Sequence, residues 1–239
     1  MANQLDLEEQ EQLDQLKHYW SQYGNTITWA LILVLGVFAS WNFYQYWQRS
    51  QATQAAALYD EVERVVKSAD SAKIDRVFTD MKDRFASTTY AQQAGLLVAK
   101  QYYGLGNIEA AKKALSWVAD ASSDPGYQAI AKLRLAAVLL ESKAYADAMQ
   151  QLSGSFPANF EALVADRKGD IFLLQGKKSE AIAEYEKAFN TFDEQTQYRR
   201  LVEIKMNSLG VEPKSNGAAA SKNAGSVPAL AAQTSEGKK

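Results

Sequence analysis

From Ile27 to Trp47 the chain reads ITWALILVLGVFASWNFYQYW, without one formally charged residue. A helix of about 20 apolar residues, rising 1.5 Å per residue, spans the roughly 30 Å hydrocarbon layer of a bilayer. Trp20 and Tyr23 precede the segment and Trp41, Tyr44, Tyr46 and Trp47 close it. Amphipathic rings collect at both headgroup levels of a spanning helix, whereas the core helix of a soluble domain has no reason to carry rings at both ends. The segment therefore predicts a membrane span, with the buried core helix as the poorer alternative. A signal peptide is the stronger rival, since Val37-Phe38-Ala39 offers small residues at cleavage spacing. Against it, a secretory leader opens with a short basic region, and here 26 residues with five acids against Lys17 come first.

Orientation is weakly encoded, because Lys17 before the span and Arg49 after it give no positive-inside bias. A long C-terminal domain translocates largely regardless of its charge, which favours a short head left inside. Gly36 and Ser40 form a small-xxx-small pair on one face, where another membrane helix can approach closely. In the acidic head, Leu13, Leu16, Trp20 and Tyr23 recur at helical spacing. They predict a short amphipathic helix, either docking a partner or lying as a solvated head with its rings on the interface.

Several functions are excluded by what the remainder holds. Residues 49 to 210 balance 21 acids with 21 bases, so no basic excess favours nucleic acid. Cysteine is absent and His18 is the only histidine, which removes thiolate chemistry and any histidine triad or zinc cluster. No cofactor or metal is expected.

From Gln51 to Ser208 the composition is that of helices, rich in Ala, Leu, Glu, Lys and Gln with apolar residues at three and four spacing. Internal repeats stand out within it. Gly176 is followed by Ala181, Tyr185 and Ala188, with Ala165, Gly169 and Phe172 upstream. The same register recurs as Gly106, Ala111, Leu115 and Val118 after Ala99 and Tyr102, and as Lys143, Ala148, Leu152 and Ser155 after Ala136 and Leu139. The key alanines lie 37 and then 33 residues apart, around the roughly 34-residue tetratricopeptide period. Small residues let two helices of such a repeat cross closely. Asp124-Pro125 supplies an N-cap and a first-turn proline where the second repeat opens, and Thr88 and Thr89 are candidate caps for the first.

A helix pair at 51–67 and 72–85 is expected to join the span to the array. An amphipathic helix at 194–208, with Leu201, Ile204 and Leu209 inward, is expected to close it, since a terminal repeat otherwise exposes an apolar face. The expected architecture is all-α. It comprises an acidic head (1–24), a transmembrane helix (25–47), a tetratricopeptide-like solenoid with a C-terminal capping helix (48–210), and a disordered Ala/Ser/Gly/Lys-rich tail (211–239).

A head ending LKHYWSQYGN, one span, and helical repeats closing on RRLVEIKMNSL resemble the YfgM-like family, ancillary subunits of the bacterial Sec translocon, across about residues 10 to 209. The resemblance rests on Lys17, Trp20 and Gly24 ahead of the span and on LVADRKGDIFLLQGKKSEAIAEYEKA from Leu163 to Ala188. The RKGD turn at Arg167 to Asp170 and the Lys205-Met206-Asn207 ending complete it. It implies a single-pass protein of the bacterial inner membrane, with the head cytoplasmic and the repeats periplasmic. It also implies association with the SecYEG channel and with the membrane-anchored periplasmic chaperone PpiD, so that emerging polypeptides meet chaperones. The chain departs from the family pattern in its long tail.

Nothing in the sequence assembles a catalytic constellation. Asp166 and Asp170 lie one turn apart, but with Arg167 and Lys168 beside them they read as a solvated, charge-balanced helix face. Binding is the expected activity. In tetratricopeptide arrays the first helix of each repeat lines a groove, here Leu96, Lys100 and Tyr103, then Leu133 and Leu140, then Asp166, Asp170 and Leu173. Such a groove suits an apolar segment of a partner or an unfolded client polypeptide, or is filled by the protein's own C-terminal helix. Two functions follow. One is a membrane-anchored, non-enzymatic adaptor at the translocon, which helps pass translocated polypeptides to periplasmic chaperones. The other is a structural scaffold of another envelope complex, a cell-wall or secretion assembly.

Overall fold

The structure, a computed structural model, describes residues 7–212. Almost all of the expected disordered tail lies outside the described residues, as do the Leu13 and Leu16 side chains of the head stripe. Among the described residues there are helices and no strand.

Helix α1 runs unbroken from Leu7 to Ser68, through the head, the apolar segment and the first helix of the repeat region. Sequence reading separates a span ending at Trp47 from a helix beginning at Gln51. The structure joins them because Gln48, Arg49 and Ser50 include neither glycine nor proline to interrupt the ladder. Along the apolar segment the large side chains are bare, Leu33 by 67% and Phe43 by 72%. That exposure excludes a core helix, and this is the one helix among the described residues long and apolar enough to cross a membrane. Before it, Gly24 leaves room for the Trp20 indole, whose Cδ1 would sit 3.4 Å from any Cβ placed there.

Six further helices follow: α2 (Ser71–Phe85), α3 (Thr89–Gly104), α4 (Ile108–Ala121), α5 (Pro125–Glu141), α6 (Tyr145–Gln151) and, after a 3-10 turn at Ala158–Phe160, α7 (Glu161–Leu174). Two more follow, α8 (Lys178–Thr191) and α9 (Gln197–Ser208). The caps fall as the sequence indicates. Asp124 Oδ1 accepts from the backbone of Gly126 at 2.6 Å, and Thr88 Oγ1 accepts from Ala91 at 3.3 Å. The repeat register is repeated in burial, since Ala111, Ala148 and Ala181 are each 0% exposed. One position departs from it. Ser155 lies exposed beyond α6, which stops at Gln151 ahead of Gly154, a weak helix former, and Pro157, which lacks the N–H a helix interior needs.

The turns carry a stricter period than the alanines. Left-handed backbone occurs at Ala69, Gly106, Lys143, Gly176 and Gly210, with φ between 54° and 78°, at intervals of 37, 37, 33 and 34 residues. After the last four, a backbone N–H reaches back five residues, as Asn107 to Tyr102 (2.8 Å) and Lys177 to Phe172 (2.9 Å), closing each helix. Ala69 extends the repeat upstream to the pair α1/α2. Lys143 adopts the conformation that glycine takes elsewhere, at φ 59°. A left-handed L-residue costs roughly 1–2 kcal/mol, of which glycine's extra unfolded-state freedom returns about 0.5–1. Lys143→Gly is therefore expected to stabilise by about 0.5–1 kcal/mol, read as a rise in thermal midpoint, and a fall would show that the lysine side chain contributes more than its backbone costs.

The chain divides into two compact units between Ala114 and Leu115. In the first, Ile74, Phe78, Met81 and Phe85 form one stripe of α2 and pack with Val62, Val65 and Val66 of α1 and the small-residue face of α3. The Tyr102 hydroxyl donates to Asp75 Oδ1 at 2.5 Å. In the second, Ala165, Ala181, Tyr185, Ala188, Phe189, Val202 and Met206 form a core from α7, α8 and α9. The inward residues of α9 are Val202 and Met206, both 0% exposed, with Leu209 packed beside them. Leu201 and Ile204, expected inward, are 43% and 58% exposed. Two apolar stripes compete on that helix, and the one that docks also carries the polar groups which α7 requires.

Candidate functional site

On α7, alanine and glycine at 162, 165 and 169 present a face with almost no side-chain relief. Tyr185 of α8 lies across it. A Cβ at Gly169 would stand 2.5 Å from the Tyr185 Cε1, so only glycine admits the ring. The buried hydroxyl then needs an acceptor, and it donates to Asp170 Oδ1 at 2.7 Å.

Helix α9 completes the cluster. Lys205 Nζ lies 2.7 Å from Oδ1 of both Asp166 and Asp170, and the Tyr198 hydroxyl donates to Asp166 Oδ2 at 2.8 Å. Arg167 Nη1 donates to Asp170 Oδ2 at 3.2 Å. All four carboxylate oxygens thus accept from a cation or a hydroxyl. Two negative charges meet two positive ones, and the Lys205 ammonium sits 5.3 Å from the Tyr185 ring centroid. The expectation of a solvated, charge-balanced face is corrected here: Asp166 is only 1% exposed. Its partner lies 39 residues away rather than one turn along the helix. A carboxylate in that position survives burial only because α9 brings donors to it.

Burial pushes the Tyr185 and Tyr198 hydroxyls well above the usual tyrosine range, and the neighbouring carboxylates push them further. The folded protein therefore holds both protons more tightly than the unfolded chain, whose tyrosines titrate near 10.0. Their contribution is complete below that pH and is lost as pH rises above it. Unfolding followed against pH is expected to show stability falling beyond about pH 10, and Tyr198→Phe to flatten the fall. An unchanged slope in that variant would remove Tyr198 from the account.

The residues expected to line a groove are distributed as follows. Leu96, Lys100 and Tyr103 stand on α3 in the first unit; Leu96 is buried, while Lys100 and Tyr103 are exposed. In the second unit Leu140 and Asp166 are buried, Leu133 and Asp170 half-buried, and Leu173 is 37% exposed. Asp166 and Asp170 come together, engaged by α9. Leu133 lines an open groove of about 300 Å³ with apolar walls from Ile130, Ala137, Phe160 and Leu163. Tyr198 and Arg134 have no part in the sequence reading, and Lys205 and Arg167 enter it only as marks of the family resemblance, not as site residues. The signal available was a lysine set between the apolar Val202 and Met206, facing an acid set among alanines. In the span, Ser40 donates its hydroxyl back to Gly36 O at 2.8 Å, and nothing lies within 4 Å of a Cβ built at Gly36.

Comparison with known proteins gives concordant matches. The tetratricopeptide repeat-like domain family matches residues 17–211, from the head through the span to the end of α9. A protein of Neisseria gonorrhoeae described as an ancillary SecYEG translocon subunit is 31% identical over 204 residues, covering 85% of this chain and 98% of its own. Proteins of Haemophilus influenzae and Escherichia coli with the same description are 30% and 25% identical, with 85% of this chain covered in each case and 98% and 97% of theirs. No solved structure matches the chain.

Proposed function

We propose, since this chain belongs to the YfgM-like family of ancillary SecYEG translocon subunits with a tetratricopeptide repeat-like domain, that it is a membrane-anchored, non-enzymatic adaptor of the Sec translocon. The observation that carries the proposal is the extent of the match. It covers nearly the whole of each relative and includes the exposed apolar helix as well as the repeats. In this reading the head is cytoplasmic, the span lies beside the channel, and the repeats stand in the periplasm. There they meet the chaperone PpiD and unfolded client polypeptides as these emerge.

Partner contact falls to the residues that α9 leaves open. Lys100, Tyr103, Leu133 and Leu173 are exposed or half-buried, whereas Asp166 and Asp170 are spent on fastening α9. Gly36 and Ser40 offer the span's closest approach to another membrane helix.

Two measurements test the proposal together. Protease added to intact spheroplasts is expected to remove the repeats, and SecYEG subunits and PpiD are expected to copurify with the full chain from mild detergent. Protected repeats would overturn the orientation. Copurification of a cell-wall or secretion assembly without channel subunits would replace the adaptor by the scaffold reading.

A further inference from the structure

The groove beside Leu133 has a feature that an apolar cleft does not need. Two arginines are among its lining residues, Arg134 from α5 and Arg167 from α7, and no acid is. Arg134 is exposed. Arg167 is half-buried and spends Nη1 on Asp170, which leaves Arg134 the groove's uncompensated positive charge among its lining residues. Guanidinium is the side chain best shaped to hold a carboxylate through paired N–H groups. The walls are otherwise apolar, from Ile130, Leu133, Phe160 and Leu163.

We infer that this groove is a docking site for a peptide segment of another protein that carries a large apolar side chain next to a carboxylate. The apolar side chain fills the cleft, and the carboxylate meets the exposed Arg134, with Arg167 the second arginine of the lining. The inference rests on the adaptor reading and specifies the chemistry of its partner. It sets acidic-apolar segments apart from uniformly apolar ones, which gain nothing from Arg134, and from basic ones, which it repels.

The test uses the full chain in detergent micelles and two fluorescein-labelled twelve-residue peptides, one of leucine and glutamate in a glycine-serine frame and its glutamine counterpart. The glutamate peptide is expected to bind about tenfold more tightly, with the advantage shrinking as salt rises. Arg134→Gln, a surface change, is expected to erase most of that advantage, and Leu133→Ser to weaken both peptides. Equal affinity for the two peptides, or a full advantage retained in both Arg134→Gln and Arg167→Gln, overturns the inference. Binding that appears only after residues 213–239 are removed also overturns it, by making the chain's own terminus the occupant. Copurification of SecYEG with the wild-type chain is scored separately. Lost discrimination with copurification intact sinks this inference alone, and the converse sinks the adaptor reading alone.

Discussion

Replacing Lys205 by alanine is expected to destabilise the second unit by about 3–5 kcal/mol and to release α9 before the rest of that unit unfolds. The ammonium is the group shared by Asp166 and Asp170, at 2.7 Å from each. Without it two carboxylates that touched the same nitrogen face one another, one of them 1% exposed. Two like charges about 5 Å apart at an effective dielectric near 20 repel by roughly 3 kcal/mol, which agrees with the usual cost of breaking a buried pair by removing one partner. Water cannot repair the loss while Val202 and Met206 stay packed. Hydrogen exchange resolved by segment is the direct measurement, since amides of 197–208 are expected to lose protection while α7 and α8 keep theirs. Lys205→Met combined with Asp166→Asn removes the charge conflict and is expected to recover part of the loss. A single alanine variant with wild-type protection in α9 would show that apolar burial alone holds the helix.

The second large effect is expected at Gly169. On an open helix Gly→Ala gains about 1 kcal/mol in propensity. Here the new methyl would meet Tyr185 at 2.5 Å and 2.6 Å, and the ring is fully buried with its hydroxyl fixed on Asp170. Overpacking of this kind costs about 1–3 kcal/mol and occasionally more, and a ring forced aside also gives up its hydrogen bond, worth about 1.5–3 when the acceptor is charged. The clash therefore outweighs propensity, and Gly169→Ala is expected to lower stability by about 2–4 kcal/mol in urea titration. Tyr185→Phe is not expected to rescue it, because the ring carbons make the clash, whereas Tyr185→Leu is. If the alanine variant proved as stable as wild type, α7 and α8 would be free to separate without cost.

How much of this was legible in the sequence depends on the range of the interaction. The alanines at 111, 148 and 181 and the glycines at 106 and 176 were readable because their causes are local: close crossing needs a small residue, and a left-handed turn favours glycine. Lys143 and Ala69 adopt the same turn without a residue type that announces it. The choice between the two faces of α9 was not local at all. It is decided by Asp166 and Asp170, up to 39 residues earlier, which reward the face bearing Tyr198 and Lys205 over the one bearing Leu201 and Ile204. For the same reason the two acids looked like surface charge until their distant partners were in place. The groove was hidden similarly, since Arg134 and Arg167 come to line one cleft only when α5 packs on α7.

Helix α1 passes from the apolar segment into the first core without a break, and Ala55, eight residues beyond Trp47, is already fully buried. A helix is stiff in bending and in torsion, so the joint has no swivel. Eight residues amount to about 12 Å of rise, so with the apolar segment in a bilayer that core would stand near the headgroups, its compass bearing tied to whichever side of the helix faces a neighbour. Bilayer thickness then becomes a mechanical input. A thinner membrane tilts a long span, and over the roughly 30 Å of helix from Trp47 to Ser68 a 20° tilt swings the far end sideways by about 10 Å.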